Sequence, residues 1–197
     1  MLFLSSRKLL IKIELTMKLL ITIFCCFLFV GMSNSQERYL TKSGTINFFS
    51  KTALEDITAD NDQVLSIVDA TRGKMAISIL MKSFLFKKAL MQEHFNENYV
   101  ESDKYPKATF KGDILNFDAV SETASLLKVK GILTIHGVSK EIMIEANFTK
   151  INDAILVVGG FMINLADFDV EIPAVVAKNI AKNIKVTFNF NHTPYKK

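Results

Sequence analysis

Thiols, tryptophan and clustered metal ligands are what this sequence has least of. Of 197 residues none is tryptophan, two are cysteine, three are proline and three are histidine. Cys25 and Cys26 are adjacent and lie in an apolar run near the start, so residues 36–197 hold no thiol. A disulfide framework and a thiolate zinc site are thereby excluded for the bulk of the chain. His94, His136 and His192 are scattered, with neither metal-ligand spacing nor a Ser/His/Asp order around them. Nothing calls for a metal or a cofactor. Excess charge is scarce too. The net charge is +4, from 24 basic and 20 acidic residues; Arg7, Lys8, Lys12, Lys18 and Glu14 lie in the first 35, and without them the counts are 20 and 19, a net +1. No basic stripe is left to suggest nucleic acid. The apolar run at residues 19–30 is also too short for a membrane-crossing helix, which needs about 20 residues.

That run has the layout of an export signal. Met17-Lys18 supplies the basic start, residues 19–30 the apolar core, and Ser33 and Ser35 the small residues of a cleavage site. Cleavage before Gln36 makes residues 1–35 a signal peptide and residues 36–197 an exported domain, periplasmic or extracellular. Residues 1–16 read either as a longer basic region or as sequence ahead of a true start at Met17. The competing reading is an uncleaved anchor. Phe24 precedes Cys25 where a lipoprotein signal needs a small residue, so lipidation is rejected.

The rest of the chain alternates. In residues 126–135 Leu127, Val129, Leu133 and Ile135 share one parity, and in 141–148 Ile142, Ile144, Ala146 and Phe148 do the same. Two period-2 runs on either side of His136-Gly137 are a β-hairpin signal. Similar strands are expected at 39–50, 64–68, 75–81, 108–117, 154–165 and 184–190, with a polar connection at 52–61. The strand at 154–165 is apolar on both parities, so both its faces are expected to be covered, and Gly159-Gly160 lets it bend or admits a neighbour close to the backbone. Between 87 and 99 the period changes: Leu90, Met91, Phe95 and Tyr99 make a helical stripe, expected to pack across the barrel. Residues 167–183 are irregular, with one helical turn after Pro173. Eight alternating strands and short turns point to an all-β fold, an antiparallel barrel or sandwich. An eight-stranded barrel either fills itself with side chains or holds one small ligand.

Gly131-Ile-Leu-Thr-Ile-His-Gly-Val-Ser-Lys140 resembles the G-x-L-T-[IL]-x-G-[VI]-[TS]-K signature of the YceI-like family of secreted lipid-binding barrels. Glu93-His-Phe-Asn-Glu-Asn-Tyr99 with Tyr105-Pro-Lys-Ala-Thr-Phe-Lys-Gly112 is similar to that family's upstream block. The resemblance covers residues 39–191. It implies an eight-stranded lipocalin-like barrel with the helix at one end, binding a polyisoprenoid, an isoprenoid quinone or a fatty acyl amphiphile, and it matches His94 to the family's histidine. Ala166-Asp-Phe-Asp-Val170 resembles a D-F-G-[IV] stretch, with Asp169 where the family often has glycine.

Candidate ligand contacts follow from both readings. Sixteen phenylalanines, four of them in the first 35 residues, leave twelve in the domain. Phe84, Phe86, Phe95 and Phe168 lie outside the plain alternation, where they can line a barrel mouth or cap the core. Met91 joins them from the helical stripe, and Phe110, Leu133, Phe148, Phe161 and Phe188 come from apolar strand parities, with the inward parity left open. His94 is read as a structural histidine or one polar contact to a ligand head group. The function expected is an exported carrier or sequestering protein for an apolar chain, with transient membrane contact and no catalytic residues. The rivals are a structural or stress-response interaction module on the same fold, a hydrolase using His94 with Asp167 or Glu93, and an outer-membrane barrel.

Overall fold

The computed structural model describes residues 17, 18 and 37–195. The expected signal segment, its cleavage site and both cysteines thus fall outside the described residues, Met17 and Lys18 excepted. What is described is a closed barrel. Its strands are β1 (Arg38–Lys51), β2 (Asp56–Asp69), β3 (Lys74–Leu80), β4 (Leu85–Phe86), β5 (Lys107–Ile114), β6 (Ser125–Ile135), β7 (Val138–Ile151), β8 (Ala154–Asn164) and β9 (Asn183–Pro194). They are hydrogen-bonded in the order β1-β9-β8-β7-β6-β5-β3-β2, and antiparallel pairing of β1 with β2 closes the circle. The two-residue β4 adds to β2, pairing Phe86 with Ala59. The all-β, eight-stranded lipocalin-like barrel expected from the alternation is therefore the fold.

Alternation decides what faces in. Phe110, Leu133, Ile144 and Val157 are buried on the inner parity of their strands, while Lys111, Lys128, Lys130, Glu141, Glu145 and Lys185 are exposed on the outer one. An outer-membrane barrel needs the reverse, an apolar band facing outward, so that rival fails. Outer pairs such as Lys130–Glu141, at 3.1 Å and half exposed, contribute at most about 1 kcal/mol each. The hairpin turn is His136-Gly137, both in the left-handed region at φ 51° and 78°, the type I′ geometry that matches the twist of its strands.

Three expectations change. Residues 56–61 are strand rather than polar connection: Ile57, Ala59 and Asn61 turn inward, while Asp60 points out to accept a 2.6 Å hydrogen bond from Asn47. A bulge between Asn61 and Val64 then resets the parity. β8 is covered on one face only, with Val158 and Met162 37% and 60% exposed, because the helical segment lies at the barrel's end and not over this wall. That segment is a short helix, α1 (Ala89–His94), running into a π-helical turn, Phe95–Tyr99. Consecutive turns follow Pro173, with Val176 N–H donating to the Pro173 carbonyl at 3.0 Å and Asn179 N–H to Val176 at 2.9 Å.

The end of the barrel where β1 begins is filled. The rings of Phe188 and Phe190 stack at 5.2 Å, and Phe190 and Phe148 are fully buried. Two of these rings lie against a glycine: a Cβ on Gly44 would meet the Phe190 ring at 2.5 Å, and one on Gly159 would meet Phe188 at 2.6 Å. The close approach expected at Gly159-Gly160 is thus an aromatic side chain. His192, fully buried below these rings, donates from Nδ1 to the Ile155 carbonyl (3.2 Å) and accepts at Nε2 from the Ser66 hydroxyl (2.8 Å). Burial pushes it down from its ordinary 6.5 to about 4, so the ring is neutral and fully satisfied.

Candidate functional site: an apolar cavity under the helical segment

At the other end, where β1 finishes, the alternating residues leave a hollow of about 390 Å³. Five phenylalanines line it, Phe161 from β8 and four that cluster together. Phe84 follows the turn Met81–Ser83, Phe86 is on β4, Phe95 opens the π-helical turn, and Phe48 reaches in from β1. Phe48 lies 5.4 Å from both Phe84 and Phe86 and 5.6 Å from Phe95, ring centre to ring centre, and Phe86 lies 5.0 Å from Phe95. Such tilted and edge-on pairs add about 0.5–1.5 kcal/mol each beyond area burial. α1 cannot stand alone, since isolated helices of its length are marginal. It is held by Met91 and Phe95 against this cluster and by Gln92 Oε1, which accepts from Phe86 N–H at 3.3 Å. Leu90, also expected to pack inward, touches the cavity but is 61% exposed at its rim.

Polar groups are few and sit at the mouth. Lys88 and Glu55 both border the cavity and pair at 2.6 Å, and Ser50, His94, Tyr99 and Asn179 are the other polar side chains that line it. Ser50 Oγ accepts from Ala181 N–H at 2.8 Å, fastening the β8–β9 connection to the end of β1. Val170, Ile172, Val176 and Ile180 of that connection also line the cavity.

A second polar group fixes the rim from outside the cavity. His136, in the β6–β7 turn, donates from Nε2 to the Glu101 carboxylate at 2.7 Å and holds Nδ1 3.3 Å from the Phe168 carbonyl, with the Tyr105 ring 4.7 Å away. It ties together the loop after the helical segment, the β6–β7 turn and the start of the β8–β9 connection. The hydrogen bond from His136, with Lys104 adding, holds the Glu101 carboxyl below the usual carboxylate range against some desolvation. Asp169 has φ 53°, so this chain places an aspartate, one of the few residues that tolerate the left-handed region, where the family often has glycine. Asp167 and Asp169 are both exposed.

Seven of the eleven expected contacts line the hollow: Phe84, Phe86, Met91, His94, Phe95, Leu133 and Phe161. The other four do not. Phe110, Phe148 and Phe188 belong to the filled half, and Phe168 is buried behind the rim beside His136. The parity reading grouped the residues of one face but left open which face turns inward and at which height along the axis each one lies. Phe48, at the centre of the aromatic cluster, was missed although it follows Ile46 on the same parity. The apolar residues of 170–180 were missed because they carry no period. His94 makes no hydrogen bond or ion pair with any described residue. No group of three or more His, Cys, Asp or Glu side chains among the described residues could hold a metal ion.

Sequence and fold comparisons now decide the kinship. The model of the YceI-like domain matches residues 32–192. The chain belongs to the YceI-like family. No curated protein sequence matches it significantly. Among solved structures, a polyisoprenoid-binding domain from Saccharophagus degradans implicated in plant cell wall breakdown is similar over 82% of this chain and all of that one, at 18% identity and a TM-score of 0.71. Burkholderia cenocepacia BcnA is similar over 76% of this chain and 96% of its own, at 16% identity and a TM-score of 0.64. At such identity the neighbours establish the barrel alone; the YceI-like assignment rests on the family match.

Proposed function

We propose that this YceI-like protein is an exported carrier that shields an apolar chain, isoprenoid or acyl, inside the open half of its barrel and exchanges it in transient contact with a membrane. The observation that carries this reading is the hollow itself: about 390 Å³ walled by phenylalanine, methionine and branched aliphatic side chains, with polar groups only at its mouth. Ligand sites that work by area burial look like this. The family membership supports it, as does the polyisoprenoid-binding domain among the structural neighbours. Export is supported by the signal-like layout of residues 17–35. The head group rests beside Lys88, Glu55, His94 and Asn179, while the chain runs inward past Phe86 and Phe95. Binding is the activity this reading favours, because the His94 side chain is hydrogen-bonded to no carboxylate or nucleophile among the described residues.

Purification without added lipid or detergent, followed by organic extraction and mass spectrometry, tests this. The expected result is a co-purified apolar amphiphile whose removal lowers the melting temperature. A ligand at a hundred times its dissociation constant adds about 2.7 kcal/mol of stability. An empty extract, with a melt indifferent to added prenols and fatty acids, would favour the structural or interaction module instead. N-terminal sequencing of the exported form, expected to begin at Gln36, tests the export half of the reading.

A further inference from the structure

We propose that the cavity is built for a single chain of about fifteen carbons, and that Phe110 and Phe188 set this limit as its floor. The inference rests on the carrier reading above and adds the length to it.

The floor follows from strand register. Phe188 on β9 pairs with Gly159, Gly159 with Ala146, and Ala146 with Leu127. Val129 pairs with Ile114, so this row meets β5 just beyond its last residue. Taken the other way round the barrel, Phe188 pairs with Ile46 and Ile46 with Asn61. Leu65 pairs with Ser78 and Leu80 with Lys107, so this second row meets β5 just before its first residue. Tilted strands make hydrogen-bonded rows climb the wall, and a full circuit returns displaced by the shear. The β5 residue at the height of Phe188 therefore lies midway between the two arrivals, at Phe110. β5 and β9 are four strands apart in a circle of eight. The two rings thus come from opposite walls at one height.

Neither ring is free to leave that height. Phe110 and Phe188 are 4% and 6% exposed. The Phe110 ring rests on Gly112 and Gly131, where an added Cβ would meet it at 2.8 and 2.7 Å, and the Phe188 ring rests on Gly159. Neither lines the cavity, whereas Ala108 and Val186, the next inward residues towards the mouth on the same two strands, do. Below the rings Phe190 and His192 leave no continuation, since both are fully buried. A cavity of about 150 Å³ accommodates one benzene, or roughly 25 Å³ per carbon. At that ratio 390 Å³ corresponds to about fifteen carbons. The ligand class is then a single-chain amphiphile with its head at the rim, and a chain much longer than this would leave its remainder outside.

The test is a chain-length series of linear primary alcohols and of prenols, from about eight to about twenty-two carbons, displacing a fluorescent acyl probe from the purified, delipidated protein. Affinity is expected to rise roughly fourfold per added methylene, to break at about fifteen carbons and to stay flat beyond. Phe188→Ala should move the break to longer chains by up to about six carbons, the size of the ring it removes. Ala108→Leu should move it about three carbons shorter, because it raises the floor from above. Phe110→Leu is the gentler floor variant should Phe188→Ala fail to fold. An affinity that climbs unbroken past about twenty carbons, or a break that none of the folded variants moves, overturns the length limit and leaves the carrier reading standing. No binding at any length would sink the carrier reading itself, and the limit with it.

Discussion

One set of eight strands makes a solid half-barrel and a hollow one, and the two halves differ in where their aromatic rings are rooted. In the solid half Phe110, Phe188 and Phe190 stand on strands, and each ring packs against a glycine of a neighbouring strand. Removing a Cβ from one wall makes room for a ring from another, which lets a narrow barrel reach the close packing of a protein interior. In the hollow half Phe84, Phe86 and Phe95 stand on the irregular segment that crosses the mouth, and with Phe48 they pack on one another. The side walls below them carry medium-sized residues such as Ile46, Ile79 and Ala108, so nothing fills the axis. The histidines divide in the same way. His192 is dry, with one donor and one acceptor satisfied internally, whereas His136 sits at the rim with two acceptors, one of them a carboxylate. Inward alternation is common to both halves. Glycines against Phe110, Phe188 and Phe190 are found only in the packed half.

The contrast breaks most visibly under truncation. Phe190→Ala should cost about 3–5 kcal/mol, the range for a fully packed ring, and leave the chain-binding half intact in any molecules that remain folded. Phe95→Ala should cost only about 1–2 kcal/mol, because the ring is half-buried and faces space that already exists, yet it should weaken retention of an apolar chain. Urea unfolding and probe displacement on both variants measure the two effects. Equal stability losses would mean the halves are packed alike.

Acid should act next most strongly, and through the solid half. His192 is held at about 4 against an ordinary 6.5. The folded state therefore keeps the ring neutral where the unfolded chain would already take up a proton. Its contribution to stability is complete above 6.5 and is lost as pH falls through that value towards 4, by which point the loss is about 3 kcal/mol. Melting temperatures from pH 7 down to 4, compared with His192→Gln, check this. The wild type should lose stability more steeply than the variant, and parallel slopes would remove His192 from the account.

How much of this was legible beforehand depends on the range of the information. Period-2 alternation is local, and it placed Phe110, Leu133, Phe148, Phe161 and Phe188 on the apolar parities of their strands, without saying which parity faces in, and gave the hairpin its turn at Gly137. It failed at residues 56–61, where Asp56, Asp60 and Asp62 hide the inward set Ile57, Ala59 and Asn61 and a bulge shifts the phase. Height along the barrel is not local. Whether Phe188 fills or lines depends on Gly159, 29 positions earlier by the numbering, and Phe190 depends on Gly44 at the far end of the domain. Neither dependence leaves a mark in a single strand. The lining supplied by Val170, Ile172, Val176 and Ile180 has no periodicity to detect, because it is held by its contacts with the rim rather than by a ladder.

The smallest effect expected is at the rim, and it sharpens the contrast best. His136→Ala removes both bonds that join the helical segment's following loop to the β8–β9 connection, and Glu101→Gln weakens one of them. Glu101 is partly exposed and its carboxyl is held low by that bond, so the contribution is present above the ordinary carboxylate range and lost as pH falls below it through the lowered value. Solvent screening keeps it small, and the global melt should barely move in either variant. Hydrogen exchange should instead quicken around Val100, Tyr105 and Val170, at the mouth, and remain unchanged at Val129, Val157 and Phe190 in the solid half. Local openings of this kind draw on the least stable part of a fold, and here that part frames the cavity. Faster exchange should be accompanied by faster loss of a bound fluorescent acyl probe with little change in its affinity, because the same path serves entry and exit. Exchange that quickened equally in both halves would show that His136 supports the barrel as a whole and not its mouth.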